Sequence, residues 1–203
     1  MTPLRIHPQL RFAAFAAVAY YLPAALLFFG VIPFAYRFVV LVVMAGLLGG
    51  HAALRGLTPR ELGLTREHLH GSLVANGTLS AILALLLIGA FSAHAIRTPT
   101  IPAWRWFFPF YVLISSPAQE FLYRSVMFAE LRRAGIDGVV GQVLLSALTY
   151  CLLHSIYRDW ITLAVTLFMG IVWGLLYRRW PNLWGVALSH AVLGALSILT
   201  GLV

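Results

Sequence analysis

The stretch that decides the fold is LSAILALLLIGAF, residues 79–91. It does not alternate apolar with polar residues, as the segments of about 10 residues in a membrane barrel do. It is apolar all round, which leaves a helix, the form whose backbone bonds are satisfied within the segment. Similar runs recur along the chain, each near the roughly 20 residues that cross a bilayer as a helix. Of the 203 residues, 61% are hydrophobic and 10% charged, whereas a soluble domain carries about 25% charged residues. The chain therefore reads as all-α: a polytopic helical bundle forming a single integral membrane domain over residues 1–203.

Working outward, the apolar runs predict seven helices, near 10–29, 34–51, 72–93, 106–130, 139–156, 160–178 and 183–201. The first run contains aromatics and Pro23 and lacks a small-residue cleavage site, so it reads as a retained helix rather than a signal peptide. Between the second and third helices lies RGLTPRELGLTREHLHG, where Thr58, Pro59 and Glu61 predict the capped start of a short interfacial helix. Glycines at GxxxG spacing, Gly46 with Gly50 and Gly170 with Gly174, permit close helix approach. Cys151, the single cysteine, reads as a small core residue.

The net charge of +8 comes from 14 arginines and no lysine. They sit between the apolar runs and form no stripe, so anionic lipid headgroups are the expected partner and nucleic acid is not. With the N-terminus inside, alternate loops carry Arg5, Arg11, Arg55, Arg60, Arg66, Arg132, Arg133, Arg178 and Arg179 on one side. Only Arg97, Arg105 and Arg158 fall on the other. The bias predicts a cytoplasmic N-terminus and an outer C-terminus. Short loops and arginine-only basicity fit a bacterial inner membrane.

Six acidic residues are present, and five of them fall in loops or at helix ends. Glu120 alone lies deep in a span, in SSPAQEFLYRS, residues 115–125. A carboxylate at the bilayer centre costs around 2.5–3.5 kcal/mol on the insertion scale, so it needs a partner and a task. Arg124, four residues on, shares its helix face. Pro117 frees a backbone carbonyl in the same helix and suits a cavity wall. His154 in the fifth helix and His190 in the seventh complete a set that general acid–base chemistry could use if the helices bring it together. Position along the helices sets a condition: His154 lies near an outer end, whereas Glu120 and His190 lie deeper, so the fifth helix must be short or tilted. His51 and Asn76 are left outside this set, as a helix-end residue and an interhelical hydrogen bonder.

At these residues the sequence resembles the CAAX protease and bacteriocin-processing family of glutamate-type intramembrane endopeptidases (CPBP, or Abi). The family's EExxxR is matched by Gln119, Glu120 and Arg124 in QEFLYR; its aromatic-xxx-His by Tyr150 and His154; its HxxxN or HxxxD by His190, with Gly194 at the last place. The resemblance implies a catalytic core over residues 104–201, with residues 1–93 alike only in general character. It implies hydrolysis by activated water without a covalent intermediate. Glu120, His154 and His190 would be catalytic: Glu120 as base beside His154, His190 stabilising the oxyanion. Gln119, Arg124 and Tyr150 would support them, Gln119 by orienting water or the scissile carbonyl.

No cofactor and no metal is expected, since HExxH is absent and the histidines are far apart in sequence. The expected substrate is a membrane-associated or lipidated protein, or a C-terminal sorting tail, cleaved near the cytoplasmic side. Gln119 and Gly194 depart from the family pattern and favour an alternative, a catalytically impaired scaffold or immunity protein that binds peptide. A proton relay through the three polar positions is a third reading, weakened by the lack of repeats and of further intramembrane acids.

Overall fold

The computed structural model describes residues 7–203. Seven helices follow one another, and no strand occurs among the described residues. They are α1 (Pro8–Phe28), α2 (Phe34–Leu54), α3 (Leu69–Ser92), α4 (107–133), α5 (Val139–Tyr157), α6 (Trp160–Arg179) and α7 (Leu183–Thr200). All but α4 are long and apolar enough to cross a membrane. The protein is an integral membrane protein, and each helix starts within a few residues of its expected place. Arg5, counted above with the inner arginines, lies outside the described residues.

Helix α4 is the bundle's central element, and its own sequence bends it. Pro117 has no N–H to give, and its ring crowds the carbonyl one turn back. The helix widens to π geometry at Tyr111–Ser115 and again at Phe121–Val126. Between them the α-helical segment Ser116–Glu120 carries Gln119 and Glu120. Each wide turn takes an extra residue and re-aims the side chains beyond it. From the end of the second turn onward, Val126, Met127, Phe128 and Leu131 are almost wholly buried and form the centre of the core.

The remaining helices are placed by caps and close contacts. Asp159 caps α6 by accepting from the Thr162 backbone N–H at 3.0 Å. Asn182 caps α7, and its amide also donates to the carbonyls of Thr65 and Glu67, tying the α2–α3 connection to the α6–α7 turn. The two glycine pairs part company. A Cβ at Gly170 would lie 3.1 Å from Ala147 of α5, and one at Gly174 would lie 3.2 Å from Val143, so α5 and α6 pack backbone to backbone. Gly46 and Gly50 meet nothing within 4 Å.

One expectation about the polar connection needs correcting. The reciprocal bonds between Thr58 and Glu61 do form, at 2.8 Å and 3.2 Å. The segment nevertheless makes turns and no helix. Gly63, at φ +65°, breaks the chain direction, and its carbonyl accepts from the Leu183 N–H at 2.8 Å. The Glu61 carboxylate is meanwhile drawn to Arg133 at 3.0 Å. Tertiary bonds here override a local helix start.

Candidate active site

Glu120 has no exposed surface. Its Oε1 accepts from His190 Nδ1 at 2.7 Å, joining α4 to α7. Its Oε2 lies 3.4 Å from Arg124 Nε, one turn along the same helix. Arg124 is itself wholly buried, donates to Ser146 Oγ at 3.2 Å, and lies over the Tyr150 ring at 5.1 Å. Ser146 passes the chain on to the Tyr123 carbonyl at 2.7 Å. A buried pair of charges persists only where geometry and further hydrogen bonds offset desolvation. His190 and Ser146 supply part of that here, while Glu120 Oε2 and Arg124 Nε and Nη2 have no hydrogen-bond partner among the described residues.

A carboxylate only accepts, so the proton on His190 sits on Nδ1 and leaves Nε2 with its lone pair. That nitrogen is 3.5 Å from the Tyr150 hydroxyl, and the ring stacks on Trp173 at 4.7 Å between centroids. The second imidazole is oriented in a parallel way. His154 Nδ1 donates to the Tyr150 carbonyl at 2.9 Å, again leaving Nε2 as the acceptor. The Tyr150 ring lies 4.6 Å from the His154 ring and 5.9 Å from the His190 ring, between the two.

Both imidazoles, with Gln119, Tyr150 and Trp173, line one cavity of about 560 Å³. Glu120 is not in its wall and reaches it through His190. Gln119 donates to Ser115 Oγ at 3.1 Å, and its Oε1 is buried without a hydrogen-bond partner among the described residues. The cavity continues past the first turns of α2, α4 and α6, the last turns of α5 and α7, and the α3–α4 connection at Arg97, Thr98, Thr100 and Pro102. It therefore opens at the arginine-poor end of the bundle. There Arg97 pairs with Asp159 at 2.7 Å, and this bond, with those from Thr162, holds the Asp159 carboxyl well below the usual range.

Of the residues singled out from sequence, Glu120, Arg124 and His190 are in direct contact, and Gln119, Tyr150 and His154 share the cavity with His190. The expected placing of Glu120 beside His154 is not the arrangement found, since the carboxylate bonds His190 and Arg124 instead. His154 is the last α-helical residue of α5, a turn nearer the open end, and the cavity rather than a hydrogen bond connects it to the others. The α5–α6 connection is short, with Arg158 in left-handed conformation at φ +55°.

Sequence reasoning did not find Tyr111 or Trp173. Both are aromatics in apolar helices, where nothing in composition separates a cavity wall from a core. Tyr111 matters for a steric reason: a Cβ at Gly194 would collide with its hydroxyl. The place of a side chain one turn beyond His190 is filled from α4.

A family model, described as type II CAAX prenyl endopeptidase Rce1-like, matches residues 101–196. The matched span, a little under half of the chain, is similar to the CAAX protease family. It contains every residue of the cluster, from Tyr111 through Gly194, and begins just before α4. No match was found among curated proteins or among solved structures. A protease family with this core, carried on membrane-spanning helices, supports a CAAX-type intramembrane peptidase as the class of the protein.

Proposed function

We propose that the chain is an intramembrane endopeptidase in which water, held in the cavity, is activated by His190 backed by Glu120. The observation that carries this is the 2.7 Å bond from His190 Nδ1 to a fully buried carboxylate, with the imidazole itself in the cavity wall and Nε2 3.5 Å from the Tyr150 hydroxyl. Nε2 takes the proton as the water oxygen attacks the scissile carbonyl carbon, and Glu120 stabilises the imidazolium that forms. The same nitrogen returns the proton to the leaving amine as the tetrahedral intermediate collapses. General acid–base assistance of this kind contributes about 10²–10⁴ in rate.

His154 is the second polariser of the water. The Gln119 amide orients the scissile carbonyl. Tyr111, whose hydroxyl stands against Gly194, supplies the donor that position 194 lacks. Arg124 neutralises Glu120 and Tyr150 spaces the imidazoles. The substrate is a membrane-associated or lipidated protein, or a C-terminal sorting tail, and anionic headgroups meet the arginine-rich end. With the N-terminus in the cytoplasm of a bacterial inner membrane, the cavity opens to the outside. We therefore place cleavage on that face, a change from the cytoplasmic side expected from sequence.

Incubation of the purified chain in detergent with a library of membrane substrates tests the reading. Discrete products by mass spectrometry, lost in His154→Ala with the elution volume unchanged, are expected, with no effect of chelators. Bound peptide without products would favour the impaired scaffold that Gln119 and Gly194 suggest.

A further inference from the structure

Two arginines border the cavity away from its catalytic floor, and they differ in one respect. Arg97 is neutralised: its fork grips Asp159 at 3.2 Å and 2.7 Å and also donates to the Gly201 and Leu202 carbonyls. Among the described residues, no carboxylate lies within ion-pair distance of Arg37. Its guanidinium lies 4.1 Å from the centre of the Phe34 ring and 4.4 Å from that of Phe38. Its Nη1 donates to the Phe34 carbonyl at 3.1 Å, the Tyr157 hydroxyl lies beside the guanidinium, and its Nε is buried without a partner among the described residues.

The position is a costly one for a cation. Arg37 sits in the first turn of α2, where the helix dipole already presents positive charge. It belongs to an apolar span, where an ionisable residue facing a cavity marks a functional site by default. Snorkelling into headgroups would explain an arginine that faces outward, but this one faces the chamber that also holds Gln119, His154 and His190. Cation–π contacts fix its plane and leave an edge of the fork without an anion.

We infer that Arg37 is a substrate subsite that binds a carboxylate of the peptide in the catalytic cavity. The inference rests on the peptidase reading and names the substrate's chemistry: a peptide carrying an anion a short distance from the bond to be cut. That anion is either an acidic side chain or the carboxylate at the end of the chain. A carboxylate meets the guanidinium with two parallel N–H···O bonds.

The test is fluorescence anisotropy with the full chain in neutral detergent and three labelled dodecapeptides of leucine and alanine. One ends in a free carboxylate, one in an amide, and one is the amide with a single internal aspartate. At least one of the anionic peptides is expected to bind roughly 10-fold tighter than the plain amide, the scale of one charge-assisted hydrogen bond. Preference for the free acid alone assigns the chain end, and equal preference for the aspartate peptide assigns a side chain. Arg37→Gln should remove the difference and Arg37→Lys should keep part of it.

Equal binding of the three peptides, absence of binding, or a preference that survives Arg37→Gln overturns the inference. So does displacement of all three by phosphatidylglycerol that Arg37→Gln relieves, which would make the guanidinium a lipid site. If Arg37→Gln does not fold, the acid-to-amide ratio on the unmodified chain still decides. Binding needs no turnover, so a chain without hydrolytic activity would still discriminate, and the two failures are read apart.

Discussion

Helix α4 carries two buried glutamates ten residues apart, and each is paired with one histidine and one arginine. Glu120 bonds His190 at 2.7 Å and lies 3.4 Å from Arg124. Glu130 bonds His51 at 3.2 Å and lies 3.5 Å from Arg55. The residue types are the same, but the surroundings differ. Around Glu120 the arginine is 0% exposed and the histidine 3%, and beyond the histidine is a cavity. Around Glu130 the histidine is 30% exposed and stacked on Phe15, and the arginine is 37% exposed. A Glu–His pair becomes a candidate for catalysis where its imidazole lines a cavity large enough for substrate. At the packed arginine-rich end it fastens helices.

The sharpest way to break this comparison is to remove each histidine in turn. His190→Ala should lower the cleavage rate by about 10³-fold or more, the upper range of acid–base assistance, whereas His51→Ala should leave it within a few-fold. Equal losses in a timed cleavage assay would erase the distinction between the two clusters. Next in size is Tyr111→Phe, expected to lower kcat by about 10²-fold with little change in KM, as loss of an oxyanion donor does. An unchanged kcat would return Tyr111 to the role of a space-filler against Gly194.

Glu130→Gln should leave kcat intact and cost about 1–2 kcal/mol in stability, from weakened hydrogen bonds to charged partners. Thermal unfolding in detergent measures this. The smallest effect belongs to the mouth of the cavity, where Asp159→Ala should cost about 1 kcal/mol as a lost helix cap. The pH dependence has a definite sign. Arg97 holds the folded Asp159 below the unfolded value of about 3.9, so its contribution is complete above that pH. It is lost as pH falls through the folded value, and the melting temperatures of wild type and variant should converge in acid.

Much of this was legible in the chain. The run at residues 79–91 is apolar in a pattern that only a helix accommodates in lipid, and the same reasoning placed all seven helices. Glu120 stood out because a carboxylate in hydrocarbon has no bland explanation. What could not be read was direction. Whether Glu120 meets His154 or His190 depends on how α4 is re-aimed by its two π turns, and sequence spacing along a regular helix cannot register an extra residue in a turn. Glu130 was hidden for the opposite reason, because a carboxylate at a helix end looks solvated until another helix covers it. The two glycine pairs carry identical spacing, yet Gly170 and Gly174 touch α5 while Gly46 and Gly50 touch nothing. Spacing offers an approach, and only the neighbour determines whether it is taken.

The most direct measurement is the cleavage rate of Glu120→Gln in the folded chain, since glutamine keeps the size of the side chain and gives up its charge. A fall of about 10²-fold or more, with the elution profile unchanged, is the result predicted if the carboxylate holds and polarises His190. Cleavage at the wild-type rate would contradict it and leave the buried glutamate as a fastening like Glu130.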